Sequence, residues 1–424
     1  MYKLCWFFVI AVMYVGGAYA DVYSALQYVY DNNPVIKQGR AEVDAAQANL
    51  SLAKTDLQPY LGISGNVGVA HTQIEEYQFD YSSRQYGIEM QQNLFQGGTM
   101  FAKIKGADAS LDAAVANQKA TEQEVLLDAI NAYIEVLNAK EVLKLNQNNE
   151  RVLVQYYQFV KDGYDLGRMT NTDVSQAAAR LEMAKYQVSD ANAGYQNAIE
   201  TVRRIFGDLD CKYHEIDTDK LMDLFPDSVQ NATETALRQH PVLIALNARE
   251  IAAKQNIHVA YKSMLPQIDI RGTIQRMDNV PLLDDIQDSR VGVYLRMPLY
   301  DKGNAMANAD RVRANVAAIH EQIINARRIV VENLTSAWNI FHAQGAALTA
   351  ADAGVHANTV ALAGIRDEQL HGRRTVLDVL NAEQELLNSR VAYMRANHAK
   401  VSAFFAVLAA MGKLTPENLG LMTE

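Results

Sequence analysis

One unit is written twice along this chain. The stretch "GYDLGRMTNTDV", starting at Gly163, returns as "QLHGRRTVLDV", starting at Gln369. Gly167 falls on Gly372, Thr170 on Thr375, Asp173 on Asp378 and Val174 on Val379, all at an offset of 205. Pro34 and Pro59 return as Pro241 and Pro266 at offset 207. "NLFQGG" (residues 93–98) returns as "PLYDKG" (residues 298–303), and "IFG" ending at Gly207 as "AMG" ending at Gly412, both at offset 205. Anchors at a near-constant offset over the whole chain mean two tandem copies of one unit, so every element of the fold comes in duplicate. The first repeat takes residues 21–207, a polar and irregular linker 208–238, the second repeat 239–412 and a short tail 413–424.

Prolines divide each copy. None of the eight lies between residues 99 and 225 or between 299 and 415. Those stretches are rich in Ala, Leu, Glu, Gln, Asn and Lys, which suit helix. A long helix over 99–162 would run about 96 Å at 1.5 Å per residue, with a copy over 304–367. After each repeated turn comes a return helix, 172–206 and 375–411, and a shorter helix opens each copy near 34–56 and 241–264. Helices without a globular partner bury their apolar faces on one another. Leu126, Ile130, Tyr133 and Leu137 form one stripe, and Leu127 and Ile134 widen it, as a helix with neighbours on two sides requires; packing in an ordinary bundle gives the same face.

Between the short and long helix of each copy the period changes to two. Leu61, Ile63, Val67 and Val69 alternate with Gly62, Ser64, Asn66 and Gly68; Tyr86, Ile88, Met90 and Leu94 alternate with polar residues. In the second copy Ile268, Ile270 and Ile274, then Val291, Val293, Leu295, Met297 and Leu299, do the same. The expected strands lie near 61–71, 84–95, 268–276 and 290–299. A soluble one-sided sheet shares this pattern. A membrane barrel is favoured by strand lengths near the ~9–11 residues of a tilted span, by unpaired-looking charges on the polar face (Glu89, Arg271, Arg296), and by polar, acidic, aromatic-tipped loops. Four strands cannot close a barrel, since the small ones start at ~8, and open edges are not tolerated in lipid. Spanning strands would therefore need several chains to share one barrel.

The first twenty residues, with Lys3 ahead of an apolar run and Ala18-Tyr19-Ala20 at its end, read as a secretory signal peptide. Its loss would take the net charge from −10 to −11, because Lys3 leaves with it. An acidic exported chain disfavours nucleic acid as a partner. Cys211 would then stand alone, without an intrachain disulfide.

With these features in place, the sequence resembles the TolC-type outer-membrane factors of Gram-negative bacteria. The resemblance spans essentially the whole mature chain and rests on the duplication, the strand pairs, the "NLFQGG"/"PLYDKG" corners and the motifs "LGRMTNTDV" and "HGRRTVLDVLNAEQEL". It implies a mainly α fold with a small β part. Duplicated long helical hairpins would form a trimeric α-barrel, capped by a transmembrane β-barrel shared at four strands per chain. It implies an outer-membrane location with a periplasmic extension and outer-membrane lipid around the strands. The implied function is an exit duct for type I secretion or multidrug efflux, working with a periplasmic adaptor and an inner-membrane ABC or RND-type transporter. Carried over by position, Leu166, Gly167, His371, Gly372 and Arg373 form the adaptor-docking tips. Thr172 and Asp173 would face Gln369 and Arg374 as a periplasmic gate. Where the family's best-known member has an aromatic hydroxyl, this chain has Gln369, which weakens that link. Asp378 matches one acidic ring of the lumen, while the second ring falls on Asn381. For Asp173, helix capping is the favoured role; for Asp378, the lumen ring is favoured, although both roles can hold at once.

No other chemistry emerges. The nine His residues form no H-x-x-x-H pair near acids, a single mature Cys makes no zinc site, and no P-loop spacing occurs. No catalytic residue, metal or cofactor is expected. A periplasmic helical adaptor or scaffold without a pore is the alternative reading; it accounts for the hairpins but not for the four alternating segments. A secreted hydrolase would need a constellation the sequence lacks.

Overall fold

The computed structural model describes residues 22–74, 77–207, 209, 213–280 and 283–421. The expected signal peptide and Cys211 lie outside them. The element order is α1 (Val22–Asn32), α2 (Pro34–Thr55), β1 (Tyr60–Ile74), β2 (Tyr77–Gln96), α3 (Thr99–Asp165) and α4 (Asn171–Phe206). It continues with α5 (Val229–Gln239), α6 (Pro241–Ala260), β3 (Gln267–Val280), β4 (Leu283–Arg296), α7 (Asn304–Leu370) and α8 (Val376–Ala410). The chain is mainly α, with four strands among the described residues. The segment between the two repeats is more ordered than its composition suggests: it carries a 3-10 turn at Asp219–Leu224 and most of α5. The compact units do not follow the tandem halves. Of the described residues, one unit comprises those within 1–36, 122–232 and 334–424, the other those within 37–121 and 233–333, so each draws on both repeats.

The second unit holds the sheet. Its strands pair antiparallel in the order β1-β2-β3-β4, and among the described residues no further strand pairs with the outer edges of β1 or β4. Ile63 pairs with Ile88 and Ile88 with Ile274, so one aliphatic rung crosses three strands on one face. That face is bare: Ile63 and Val69 are each 87% exposed and Val291 81%. The opposite face is knitted by polar side chains. Gln85 Nε2 donates to Gln275 Oε1 (2.9 Å), Gln275 Nε2 to Asp288 Oδ2 (3.2 Å) and Arg290 Nε to Asp288 Oδ1 (3.0 Å). Arg271, which looks unpaired in the sequence, is bonded to Asp269 and lies over the Tyr294 ring at 5.0 Å. The hairpins run further than the alternation suggests. His71 pairs with Asp80 and Asp278 with Asp285, because ladder hydrogen bonds continue through segments whose polarity reads as loop. A register shift between Asn93 and Phe95 breaks the alternation, and Leu94 and Phe95 are both exposed.

Each strand pair turns into its long helix through backbone of positive φ. Gly97 (59°) and Gly98 (79°) form the first corner, Lys302 (63°) and Gly303 (82°) the second. A Cβ on Gly97 would meet Leu265 Cβ at 2.4 Å, so only glycine fits there. In the second corner Asp301 does the work of a cap. Its carboxylate accepts from Gly303 N (3.0 Å), Ala305 N (2.7 Å) and Ser263 Oγ (2.7 Å), which holds its pKa below the usual carboxylate value.

The other unit holds the main helical core. Leu126, Ile130 and Tyr133 of α3, Phe206 of α4, Phe405 and Leu408 of α8, and Leu26 of α1 are all essentially inaccessible. Phe225, from the segment between the repeats, stacks on Phe404 (centroids 5.2 Å apart) and Trp338 (5.7 Å). Tyr133 is buried with its polar end satisfied. Its hydroxyl accepts from His214 N (2.8 Å) and donates to His214 O (3.2 Å). Leu414 and Leu421 bring the C-terminal tail into the same core.

Candidate functional site: the two helical turns

The repeated motif forms two turns of one geometry. At the end of α3, Gly167 adopts φ 71°; Gly167 N bonds Tyr164 O (2.9 Å) and Arg168 N bonds Gly163 O (2.8 Å). At the end of α7, Gly372 also adopts φ 71°; Gly372 N bonds Gln369 O (2.9 Å) and Arg373 N bonds Glu368 O (2.8 Å). A left-handed residue just past the helix recovers carbonyls that would otherwise lack partners, and glycine takes that conformation without a Cβ penalty. Four residues match because the turn needs four: the glycine, the Thr cap, the Asp that closes the box and an apolar residue behind it.

Each return helix opens with a capping box. Asp173 N donates to Thr170 Oγ1 (3.2 Å) while Thr170 N donates to Asp173 Oδ2 (2.9 Å). In the second turn Asp378 N donates to Thr375 Oγ1 (3.2 Å) and Thr375 N to Asp378 Oδ2 (2.8 Å). The backbone and hydroxyl bonds from Thr375 hold the Asp378 carboxyl below its ordinary pKa, and the Arg374 charge lowers it further. Asp378 thus caps its helix just as Asp173 does, which leaves room for the lumen role expected beside it.

The expected gate quartet does not meet within one chain. Asp173 is occupied by Thr170, and Thr172 is exposed. Arg374 Nε donates to Glu368 Oε2 (2.8 Å) in its own hairpin, a bond that raises the Arg374 pKa. Gln369 lies in a groove of about 280 Å³ between α3 and α7, with Tyr156, Phe159, Arg366 and Leu370. Among the described residues no hydrogen bond joins Thr172 or Asp173 to Gln369 or Arg374.

The outermost residues are open. Leu166 is 70% and Leu370 72% exposed, and Gly167, His371, Gly372 and Arg373 are exposed as well. His371 Nδ1 sits 2.8 Å from Asp367 O. Behind the turns, Leu153 and Val160 of α3, Leu181 of α4 and Val376 and Leu380 of α8 form a small apolar cluster. A neighbouring one gathers Leu362, Val379 and Leu386 around Tyr156. The Tyr156 hydroxyl is buried without a hydrogen-bond partner, and burial pushes its pKa up to about 12. Sequence reasoning missed this tyrosine, the Arg366–Glu383 pair between α7 and α8, and Arg180 of α4, whose Nη2 donates to Asn381 Oδ1 of α8 at 2.8 Å. The last was signalled only by Asn381 standing where the resemblance implies an acid.

Two proline-free helical hairpins and a four-stranded sheet with bare aliphatics outward make the fold of an outer-membrane channel subunit. The Campylobacter jejuni CmeC outer membrane channel superposes with a TM-score of 0.83 at 15% identity, over 93% of this chain and 86% of that one. The chain belongs to the outer membrane efflux protein family, whose model matches residues 25–208 and 232–413. It is 28% identical over 399 residues to the outer membrane efflux protein BepC of Brucella suis, covering 94% of this chain and 86% of that one. To the outer membrane protein TolC of Escherichia coli it is 21% identical over 401 residues, covering 92% and 81%. Family and fold are those of channel proteins. Among the described residues no helix is long and apolar enough to cross a membrane, and no group of three or more His, Cys, Asp or Glu could hold a metal ion.

Proposed function

We propose that three copies of this chain form the exit duct of a tripartite type I secretion or multidrug efflux system. The observation that carries this reading is the sheet: four strands, two open edges and an exposed aliphatic face. Bare aliphatics on one face of a polar-backed sheet are costly in water and favourable in lipid. Open edges in lipid must be paired, since no water satisfies their N–H and C=O groups. Joining β4 of one copy to β1 of the next removes every edge, and three copies give twelve strands, within the range of closed membrane barrels. The residues between the strands on the polar face, Gln85, Gln275 and Arg290 among them, then line a wet interior.

The two helical turns are the periplasmic end in this reading. Leu166, Gly167, His371, Gly372 and Arg373 offer an apolar knob and positive charge to a periplasmic adaptor attached to an ABC or RND-type transporter. Thr172, Asp173, Gln369 and Arg374 act between neighbouring chains; within one chain Asp173 is bonded to Thr170 and Arg374 to Glu368. Three Asp378 carboxylates, kept ionised by their caps, favour cations at the narrowest point.

The test is single-channel recording from the purified full chain in planar bilayers, with Asp378→Asn and Arg374→Ser beside the wild type. A small cation-selective pore, less selective in the first variant and wider in the second, supports both duct and gate assignments. A pore indifferent to both changes retains the duct and discards these gate residues. A chain that washes from membranes without detergent belongs to the alternative, a periplasmic scaffold.

A further inference from the structure

We propose that Arg180 is this chain's own constriction residue, holding α4 to α8 through Asn381 and placing a positive charge about one helical turn along α8 from Asp378. The proposal rests on the duct reading above. Among the described residues, the Arg180 Nη2 to Asn381 Oδ1 bond, 2.8 Å, is the one side-chain hydrogen bond that joins the two return helices. It lies deeper than the turns: Arg180 is seven residues past Asp173, two helical turns or about 10 Å along α4. The residues of the turns are engaged locally, Arg374 with Glu368 and Asp173 with Thr170. Near the turns, what ties one hairpin to the other by a side-chain hydrogen bond is therefore Arg180; Ser402 Oγ of α8, which donates to Asn131 Oδ1 of α3 (2.6 Å), does so far from them.

The chemistry of the pair matters as much as its position. Arg180 forms no ion pair among the described residues; its partner is a neutral amide. Its charge is left uncancelled. Asp378 and Asn381 are three apart on α8 and so share one face of it. Where two rings of acid would make the constriction strongly cation-selective, this chain has Asp378 followed by an amide that carries an arginine. Three copies would thus set three cations near three carboxylates, giving a narrow passage that is still cation-selective but less so than the carboxylates alone would make it. Apolar packing around the pair, Leu181 and Leu380 on either side, holds both backbones, so the bond can be removed without removing the helices.

The experiment uses the full chain in planar bilayers under a salt gradient, with Arg180→Ala, Asn381→Ala, their double variant and Asn381→Asp. Losing a charge-assisted hydrogen bond shifts a closed-to-open ratio by roughly tenfold for each chain that loses it. Both alanine variants should therefore raise conductance, and the double variant no further than either, because they remove one contact. Arg180→Ala and the double variant, but not Asn381→Ala, should also move the reversal potential towards cations, a change that loosened packing does not produce. Asn381→Asp, which converts the bond to an ion pair, should lower conductance below wild type. Wild-type conductance and reversal potential in Arg180→Ala, with the oligomer intact on a native gel, overturn the proposal. So do additive effects of the two alanines. Silence from the wild type and every variant removes the pore reading instead. The helix link is then decided by thermal unfolding: equal, non-additive losses support it, and absent or additive losses overturn it.

Discussion

Ile63 and Leu126 are both aliphatic residues in regular elements, yet the first is 87% exposed and the second 0%. The sheet turns its aliphatics out and its amides and charges in; the helical core around Tyr133 does the reverse. Side-chain type alone is silent on this, since apolar atoms seek whatever is not water. The helical core supplies its own apolar environment from helices of both repeats, the segment between them and the C-terminal tail. A four-stranded sheet cannot do so from one face, and it needs lipid or another chain. The difference between the two regions is a difference in which surroundings complete them.

Truncation separates the regions most sharply. Tyr133→Ala removes a fully buried ring and its two bonds to His214, and should destabilise the fold by about 3–5 kcal/mol, read as a fall in thermal midpoint in detergent. Ile63→Ala should leave that midpoint nearly unchanged. An equal loss at both sites would mean the sheet face is covered by protein. Next in size is Ile63→Arg, which should cost about 2–4 kcal/mol per chain if the residue faces the bilayer midplane. Flotation with outer membranes and the yield of heat-stable oligomer measure it. Asn66→Arg, on the other face of the same strand, is the control expected to assemble normally.

The turns lie between these extremes, half core and half water. Thr375→Ala removes the cap of α8 and should cost about 1 kcal/mol, seen as faster proteolysis at the second turn than at the first. Acid should have the same effect through Asp378. Its folded pKa is depressed below the ordinary value of 3.8, so the capped turn is fully stabilised above that value and loses the contribution as pH falls below it towards the folded pKa. Wild type and Asp378→Asn should differ in protease sensitivity at neutrality and approach each other progressively as pH falls below 3.8. Smallest is Tyr156→Phe. Its hydroxyl has no partner, so its removal should change stability by only a few tenths of a kcal/mol near neutrality. Because burial raises the tyrosine pKa to about 12, the folded wild type resists ionisation and loses stability as pH rises above about 10; the phenylalanine variant should not.

How much was legible depends on how far apart the cooperating residues lie. The glycine, threonine and aspartate of each turn act within a dozen residues, and their spacing carries the geometry that the capping boxes display. The alternation over 61–69 and 291–295 carries the two-faced strand. Where the hairpins end was not legible, because ladder bonds through His71 and Asp80 do not depend on apolar side chains. At the site, the turn residues were readable and their partners were not. Gln369 against α3 and Arg180 on Asn381 depend on how helices rotate about their axes. A rotation of a fraction of a turn exchanges one partner for another.

The sequence by itself determined the local conformations: proline-free helices, period-two strands, glycine turns and their caps, each set by sterics and hydrogen bonds among near neighbours. It also determined the duplication, which puts every such signal in place twice. Only the tertiary structure decided that β2 pairs with β3 across the repeats, that Phe225 from between them closes the helical core, and that Arg180 reaches an amide 201 residues away. Those contacts are chosen by the packing of whole elements, whose apolar faces accept several neighbours of similar energy until shape and polar satisfaction select one.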